Sequence, residues 1–367
     1  MDWIRGHAPI FVKQHTVLMS QQQQQPVSSY DPAELLQTLT VQPKKSAPSD
    51  GRDLAAHFAK ANGGCGAGAG AGAAGVVVPP VISSPPPKKP YLCSVVTIAR
   101  GENPYIREFV HYYKMIGMDH IYIYDNSGTT HPPITEALTD KEMAFCTVIP
   151  FPGKAQQRKS YVHFLDHYSM ETEWVLIVDA DEFLVLYKHD SIRAFIRDKC
   201  KKLFGVGINW YMFGYGQHVS WPKGKLVMES YTQGSRNQHI KTLARTEILR
   251  KLKPQCHPFF SLHNVYNICQ RLNGSRIDGH FNPSMDDMDC IALYHYWSKS
   301  QEELDTKVMR GRAPSGRKRD RGEAFEHALE IQRETNIYAV EVIVPRFLDY
   351  LARKGLTKEH IVELHHA

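Results

Sequence analysis

No cysteine pair in this chain is spaced C-x-x-C, and the seven cysteines (Cys65, Cys93, Cys146, Cys200, Cys256, Cys269 and Cys290) are odd in number. That argues against a zinc ribbon and against a dense disulfide framework. Cys93 and Cys146 fall inside apolar strand-like runs and read as small core residues. Cys256, Cys269 and Cys290 leave room for one disulfide in an oxidising compartment. No apolar run reaches the roughly 18 residues of a bilayer-spanning helix, so no membrane span is expected. The N-terminus has no clear signal segment: Ala8–Val12 is short, is broken by Pro9, and meets Lys13, Gln14 and His15 at once. A net charge of +6 over 367 residues gives no reason to expect a nucleic-acid partner. No internal repeat is visible either.

Residues 1–89 carry little that could form a core. They hold Gln21–Gln25, an Ala/Gly run from Gly63 to Gly75, and prolines at Pro79-Pro80 and Pro85–Pro87. Such composition buries too little apolar surface to offset chain entropy, so a disordered tail and linker is expected, with a short helix over Asp53–Lys60 at most. The rest, 42% hydrophobic over the whole chain, can build one large core or two modest ones. The 18 Tyr and 5 Trp suit sugar-stacking surfaces, although most belong in a core. The expected division is 1–89 as tail, 90–312 as the main domain, and 313–367 as a helical extension packed on it.

From Tyr91 onward, strand and helix signals alternate. Leu92–Ala99 is β-branched and apolar. Asn103 then reads as a helix cap with Pro104 in the first turn, and Gly117 as the helix stop. His120–Tyr124 and Ala144–Ile149 are strand-like, Gln156–Tyr168 is helical, and Ser191 caps a helix to about Cys200. This β-α-β-α-β-α-β pattern with short connections predicts an α/β fold with a parallel, doubly wound sheet. Further strands are expected at Val206–Phe213, Lys225–Met228, Ile240–Arg245 and Ile291–Tyr296. Ser300-Gln301-Glu302-Glu303 is a capping box opening a helix to about Arg310. Helices follow at about 323–334, 345–354 and 358–366.

The stretch Trp174–Leu186, WVLIVDADEFLVL, organises the rest. Its first five residues suit a strand covered on both faces, and Asp179-Ala180-Asp181-Glu182 follow where that strand emerges. Ligands of open α/β sheets bind at this carboxyl edge. If strand geometry persists, Asp179 and Asp181 point the same way. Two hard oxygen donors then suit Mg2+ or Mn2+, which can hold a diphosphate. The first strand brings Arg100, Glu102 and Asn103 to the same edge, and the second brings Asp125 and Asn126. A mononucleotide lying there needs an acceptor for base or ribose, and Asp125 is placed for it. The other reading of Asp125-Asn126-Ser127-Gly128 is an ordinary polar turn.

Four motifs in order, R-G-E-N-P-Y-I-R-E-F-V-x-Y-Y, D-H-I-Y-I-Y-D-N-S, E-W-V-L-I-V-D-A-D-E-F-L and H-Y-W-x-K-S-x-E-E-L-x-x-K, resemble the glycosyltransferase 2-like and family 92 (DUF23-type) glycosyltransferases. The resemblance covers about 91–312 and is loose between about 215 and 290. It implies a GT-A fold: a Rossmann-like, mostly parallel sheet flanked by helices. It implies a nucleotide-sugar donor, UDP-linked by preference, a glycan or glycoprotein acceptor, and transfer with inversion. Carried over, Asp179 approaches the donor ribose or sugar, Asp181 ligates Mn2+ or Mg2+, and Asp125 sits by a uridine-type base. His295 is a late metal or phosphate contact, and Lys241 and Lys299 neutralise phosphate. Arg100, Glu102 and Asn126 complete the expected donor site. For His295 the competing reading is an aromatic cluster with Tyr294, Tyr296 and Trp297.

An inverting displacement needs a base for the acceptor hydroxyl. Asp286, Asp287, Asp289 and Glu247 lie downstream of the acidic box, and the pair Asp286-Asp287 is the expected base. The basic run Arg310–Arg321 is either a solvated loop or one that closes over the diphosphate. Two other readings stay open. HAD-type phosphohydrolases also end a strand in D-x-D, but there a Thr or Val normally follows at the position held here by Phe183, and Glu182 intervenes. The third is a non-catalytic nucleotide- or glycan-binding protein of the same fold. Relatives of this kind in eukaryotes usually carry a Golgi anchor. The chain as written points to the cytoplasm, or to Golgi association through a partner. The sequon Asn273-Gly274-Ser275 matters only in the secretory pathway.

Overall fold

The computed structural model describes residues 88–256, 261–311 and 319–363. The expected tail, apart from its last two residues, lies outside the described residues, as does most of the basic run at 310–321.

The first half alternates as its pattern predicts. Strand β1 (Tyr91–Ala99) leads to helix α1 (Asn103–Met115), β2 (His120–Asp125), the short α2 (Asp140–Met143), β3 (Cys146–Pro150), α3 (Gln157–His167) and β4 (Thr172–Ile177). Helix α1 starts one residue before the expected position. Glu102 takes the cap, and Asn103 Nδ2 donates instead to the Pro133 carbonyl at 2.9 Å. Gly117 reverses the chain at the far end with φ +86°, a conformation that needs glycine.

The second half departs from the simple alternation. Strand β5 (Glu182–Leu186) is followed by α4 (Ile192–Lys199), whose cap Ser191 accepts from the Ala194 amide. Then come β6 (Gly205–Phe213), α5 (Val227–Ser230), β7 (Gln233–Arg245), α6 (Thr246–Cys256) and β8 (Ile291–His295). Helix α7 (Gln301–Arg310) opens with the capping box of Ser300 and Glu303. It is followed by α8 (Arg321–Glu330), the two-residue β9 (Glu334–Thr335), α9 (Val344–Arg353) and α10 (Lys358–Val362). The strand expected at Lys225–Met228 is instead a loop entering α5, whose amides at Val227 and Met228 are capped by the buried carboxylate of Glu108. Strand β7 is longer than its apolar core suggested, because its first half is polar and half-exposed yet still pairs with β6.

The sheet runs β3-β2-β1-β4-β7-β6-β8-β5, with β9 on β7. It is parallel across β3-β2-β1-β4 and again between β6 and β8, and antiparallel elsewhere among the described residues. The α/β class stands, with the parallel order confined to the first four strands and one later pair. Alternation sorts the strands' side chains. Cys93, Val95, Ile121, Ile123, Trp174 and Leu176 join the main core, which also holds Phe347, Leu351 and Ile361 from the last helices. On the opposite face Tyr122 packs its ring on Phe164 and Tyr124 on His163, both from α3. Cys269 and Cys290 are free thiols, as are Cys93, Cys146 and Cys200, so no disulfide forms among them.

One feature of this order shapes the site. In a flat sheet four spacings of about 4.8 Å, or ~19 Å, would separate β4 from β5. Yet Val178–Asp181 alone joins them, and the Glu182 amide closes on the Asp179 carbonyl at 3.1 Å. The sheet therefore curls until its β5 end returns beside β4.

Candidate active site

The acidic box is a turn, not a strand end. Strand order stops at Ile177, so the expected alternation does not place Asp179 and Asp181. A closed turn does. The Asp179 amide donates to Glu182 Oε2 at 2.9 Å, and Tyr113 from α1 donates its hydroxyl to the Glu182 carbonyl at 2.9 Å. Lys241, one residue beyond the β4 pairing on β7, reaches in with its ammonium 2.8 Å from Asp179 Oδ2 and 3.5 Å from Glu182 Oε2. Asp179 Oδ1 accepts from Gln157 Nε2 at the start of α3.

Asp181 has different neighbours. Lys307 on α7 donates to Asp181 Oδ2 at 2.6 Å and to the Trp297 carbonyl at 2.7 Å. His295 ends β8 opposite Glu182, with Nε2 at 3.5 Å from Asp181 Oδ1 and Nδ1 at 3.7 Å from Glu182 Oε1. The Trp210 ring lies 4.6 Å from the His295 ring. His295 therefore packs among aromatics and faces the carboxylates at once.

These charges are mutually tuned. Burial opposes ionisation of Asp179, but Lys241 holds its carboxyl below the usual range. Burial likewise opposes ionisation of Asp181, and Lys307 with His295 holds it well below. Glu182 is fully buried and is pushed well above the ordinary value. Burial works against the Lys241 ammonium too, but Asp179 and Glu182 keep its pKa above the ordinary one. Burial pushes His295 and Lys307 down.

A second charged group adjoins the first through α7. Lys299 donates to Glu102 Oε2 at 2.8 Å and lies 3.7 Å over the Tyr105 ring. Its backbone is left-handed at φ +51°, a conformation costly for a lysine and held here by these contacts. Arg310 donates to the Arg100 carbonyl at 2.6 Å and stands 3.6 Å from Glu102 Oε1. Arg100 itself reaches Thr130 Oγ1 at 3.3 Å. Tyr105 stacks on Trp221 at 4.1 Å and donates its hydroxyl to Glu303.

The remaining expected residues sit elsewhere in the argument. Asp125 uses Oδ1 on the Ser127 amide and Oδ2 on the Ile134 amide, both at 2.9 Å, which is the polar-turn reading. Asn126 donates to the carbonyls of Phe151 and Gly153 and fixes the neighbouring loop. Asp286 and Asp287 are a correction. They form a 3-10 turn before β8, whereas the acidic box meets the other end of that strand at His295. Four rises of about 3.3 Å, ~13 Å of strand, intervene. Asp287 Oδ2 caps the Leu272 amide at 2.9 Å. Glu247 opens α6 beside the start of β4, again at the far edge, and pairs with Lys251 at 2.7 Å. The sequence reading missed Glu182, Gln157, Lys307 and Glu303. The lysine closing the H-Y-W-x-K-S-x-E-E-L-x-x-K segment is Lys307, and one helical face of α7 presents it seven residues after the Ser300 cap.

The donors fit a divalent cation in part. The expected trio of Asp179, Asp181 and His295 does not assemble, because Gln157 and Lys241 occupy both oxygens of Asp179. Among the described residues no group of three or more acidic, histidine or cysteine side chains is arranged as a metal cage. Asp181 Oδ1 and His295 Nε2 remain as a facing oxygen and nitrogen. One or two protein ligands suffice for a cation that also binds substrate phosphates.

A mixed sheet with acidic and basic side chains gathered at one edge makes this an α/β domain of GT-A-like arrangement. Residues 93–253, less than half of the chain, match the family model of glycosyltransferase family 92, so this stretch is similar to the domain of that family. A glycosyltransferase family 92 protein of Ricinus communis is 27% identical over 100 residues, 27% of this chain and 18% of the relative. The match thus spans under a fifth of that relative's length. Among solved structures, S. aureus TarS 1-349 is similar at TM-score 0.30 and 12% identity, over 71% of this chain and 79% of that one. The 4-diphosphocytidyl-2C-methyl-D-erythritol synthase of Anaerococcus prevotii gives 0.26 and 12%, over 46% and 76%. At such scores the fold assignment rests on the sheet described above. No helix among the described residues is long and apolar enough to cross a membrane.

Proposed function

We propose that the domain transfers a sugar from a UDP-linked donor to a hydroxyl of a glycan, with inversion at the anomeric carbon. The observation that carries this reading is the meeting of Asp179, Asp181, Glu182, Lys241, His295 and Lys307 inside the curl of the sheet. A nucleoside diphosphate is the substrate class such a mixture suits. Lys241 and Lys307 hold two ammonium groups ready beside the acidic turn, and Lys299 and Arg310 hold two cations on Glu102 next to it. Groups already oriented and partly dry stabilise charge developing on a departing phosphate oxygen more than solvent does. A divalent cation, Mn2+ or Mg2+, held by Asp181 and His295 would supply Lewis-acid neutralisation of that oxygen.

The acceptor proton needs a base at this edge. Burial pushes Glu303 up to about 8, within the range where a carboxylate exchanges a proton near neutrality. It stands beside the Tyr105–Trp221 stack, a surface suited to a sugar ring. We place the base at Glu303. The phosphohydrolase reading is the weaker one, because Phe183 stands where those enzymes carry Thr or Val and Glu182 intervenes.

The test is thermal unfolding with a panel of nucleotide sugars, with and without Mn2+, on the full chain and on Asp181→Ala. A ligand at 100 times its Kd stabilises by about 2.7 kcal/mol. Metal-dependent stabilisation by a UDP-sugar, lost in the variant, is the expected result. Stabilisation by none of the nucleotides would overturn the reading. Stabilisation without turnover against any acceptor would leave a binding protein of the same fold.

A further inference from the structure

The edge of the domain opposite the acidic turn carries a charge that the proposed reaction does not use. Between Lys188 and Lys202 stand six Lys or Arg against two Asp, so this short span supplies four of the chain's net +6 charges. Helix α4 and its two flanking loops present them. Arg193 is paired with Asp119 at 3.0 Å, and Lys199 with Asp198 at 3.1 Å. Lys188, Arg197, Lys201 and Lys202 are exposed, and none of the four forms an ion pair among the described residues. Arg197 and Lys201 line one open groove of about 400 Å³ with His189, Ala194 and Asp198. Lys188 and Lys199 both stand near the Cys290 thiol. Arg245 borders the group from β7, donating to the carbonyls of Cys200 and Lys201 at 3.2 Å. The cations thus form one continuous field.

Its place decides what it can serve. Helix α4 begins against the end of α1, where the Ile192 amide donates to the Ile116 carbonyl at 2.8 Å. Asp119, the partner of Arg193, accepts from the Leu92 and Cys93 amides at the start of β1. The candidate active site adjoins the other end of that strand through Glu102, beyond eight rises of about 3.3 Å, or ~26 Å of strand. Phosphates held at the acidic turn are therefore out of reach of these cations. Phe195, the aromatic ring of α4, is wholly buried, so no ring on that helix interleaves the cations as a single-stranded nucleic acid would need. Residues 1–87 hold six Lys or Arg against five Asp or Glu and offer no acidic complement. The groove has only Ala194 as an apolar lining residue and gives an acidic peptide no anchor pocket. At its border Arg346 donates to the Asp190 carbonyl, and Val342, 45% exposed, lines the same small cleft as Asp190 and Arg346. Unpaired cations spread over a helix and its loops, with an exposed apolar side chain beside them, match a plane of many identical anions. We propose that this edge docks on the anionic headgroups of a lipid bilayer and leaves the candidate active site on the side turned away from the membrane. The inference does not depend on which reaction that site performs.

The experiment is co-sedimentation of the full chain with vesicles of phosphatidylcholine alone and of phosphatidylcholine with about one-third phosphatidylserine. The native chain should partition onto the anionic vesicles and not onto the neutral ones. Raising the salt from about 0.1 M to about 1 M, which shortens the screening length from ~10 Å to ~3 Å, should release it. Each cation at a membrane surface changes the partition coefficient about fivefold, so the triple variant Arg197→Gln, Lys201→Gln, Lys202→Gln should bind roughly 100-fold more weakly. Its three side chains make no ion pair, and its thermal melt should match the native one. Lys141→Gln, Lys159→Gln, Lys223→Gln removes three exposed cations from elsewhere on the domain and lowers the net charge equally. That variant should keep vesicle binding within about threefold. No preference of the native chain for the anionic vesicles would overturn the proposal. So would an equal loss in the two triple variants, which would reduce the effect to net charge, or a loss under twofold in the α4 variant. Soluble poly-glutamate is the last arm. If it releases the native chain from the vesicles when matched to them in total charge, the face is built for an acidic peptide and the lipid assignment falls.

Discussion

Replacing Lys241 by methionine should destabilise the domain by roughly 2–4 kcal/mol. The side chain is almost wholly buried and touches two carboxylates, Asp179 at 2.8 Å and Glu182 at 3.5 Å. Removing one partner of a buried pair typically costs about 3–5 kcal/mol, because a charge is left without compensation. The figure is discounted here for two reasons. Asp179 keeps 31% of its side-chain surface exposed, so water screens it. Glu182 already favours its neutral form. For a domain of this size each kcal/mol moves Tm by about 2–4 °C, which gives a fall of roughly 4–16 °C at neutral pH. The sign of the pH dependence follows from Asp179. Lys241 depresses its folded pKa, so the stabilisation is present above the ordinary value near 3.9 and is lost as pH falls through the depressed one. Lys241 itself, with a raised pKa, contributes below its ordinary value and loses that contribution only far into alkali. The gap between native chain and variant should therefore narrow below about pH 4. Urea unfolding of Lys241→Met, Asp179→Asn and the double variant measures the coupling, and the double variant should cost at least ~1 kcal/mol less than the sum. Strictly additive costs, or a Tm within a degree of native for Lys241→Met, would refute the reasoning.

Three further outcomes follow from the same geometry. Asp287→Asn should leave kcat within about twofold, because Asp287 lies one strand length from the acidic turn and serves the Leu272 amide; a hundredfold loss in a folded variant would restore it as a base. Glu303, raised to about 8, contributes stability that is full below about pH 4.3 and is lost as pH rises through 8. Glu303→Gln should flatten the fall in urea midpoint between pH 5 and 8.5, and an unchanged slope would show that Glu303 titrates normally. Leu293→Ala, in the fully buried centre of β8, should cost about 2–5 kcal/mol by transfer and cavity formation, read from the urea midpoint; a cost below about 1 kcal/mol would mean that the strand is not packed as described.

Much of this architecture is legible from residue order because burial writes itself into strands. Leu92–Ala99, His120–Tyr124, Val206–Phe213 and Ile291–Tyr296 are apolar enough to locate β1, β2, β6 and β8 within a residue or so. The polar start of β7 is invisible to the same logic, since its pairing with β6 is main-chain work. Asp179, Asp181, Lys241 and His295 are brought to one place, yet nothing local predicts that Gln157 and Lys241 fill Asp179. Lys307 and Glu182 were hidden for opposite reasons. Lys307 is 126 residues from its partner Asp181. Glu182 looked like the tail of an acidic run, and only the turn reveals it as buried. Asp286 and Asp287 mislead because proximity to a strand in sequence does not say which end of it holds the chemistry.

The turn at Val178–Asp181 is the seam along which a curled sheet is closed, and it is also where substrate would be held. Asp179 and Glu182 knit that seam through the Glu182 side chain, the Lys241 ammonium and the Gln157 amide. A descendant that abandoned transfer would still be selected for those two carboxylates, simply to keep its sheet closed. Persistence of the acidic box across a lineage would then be a poor witness to activity. Drift at Asp181 and His295, whose side chains are the donors of the proposed cation seat and do not join Asp179 to Glu182, would be the better sign that the proposed chemistry has been given up.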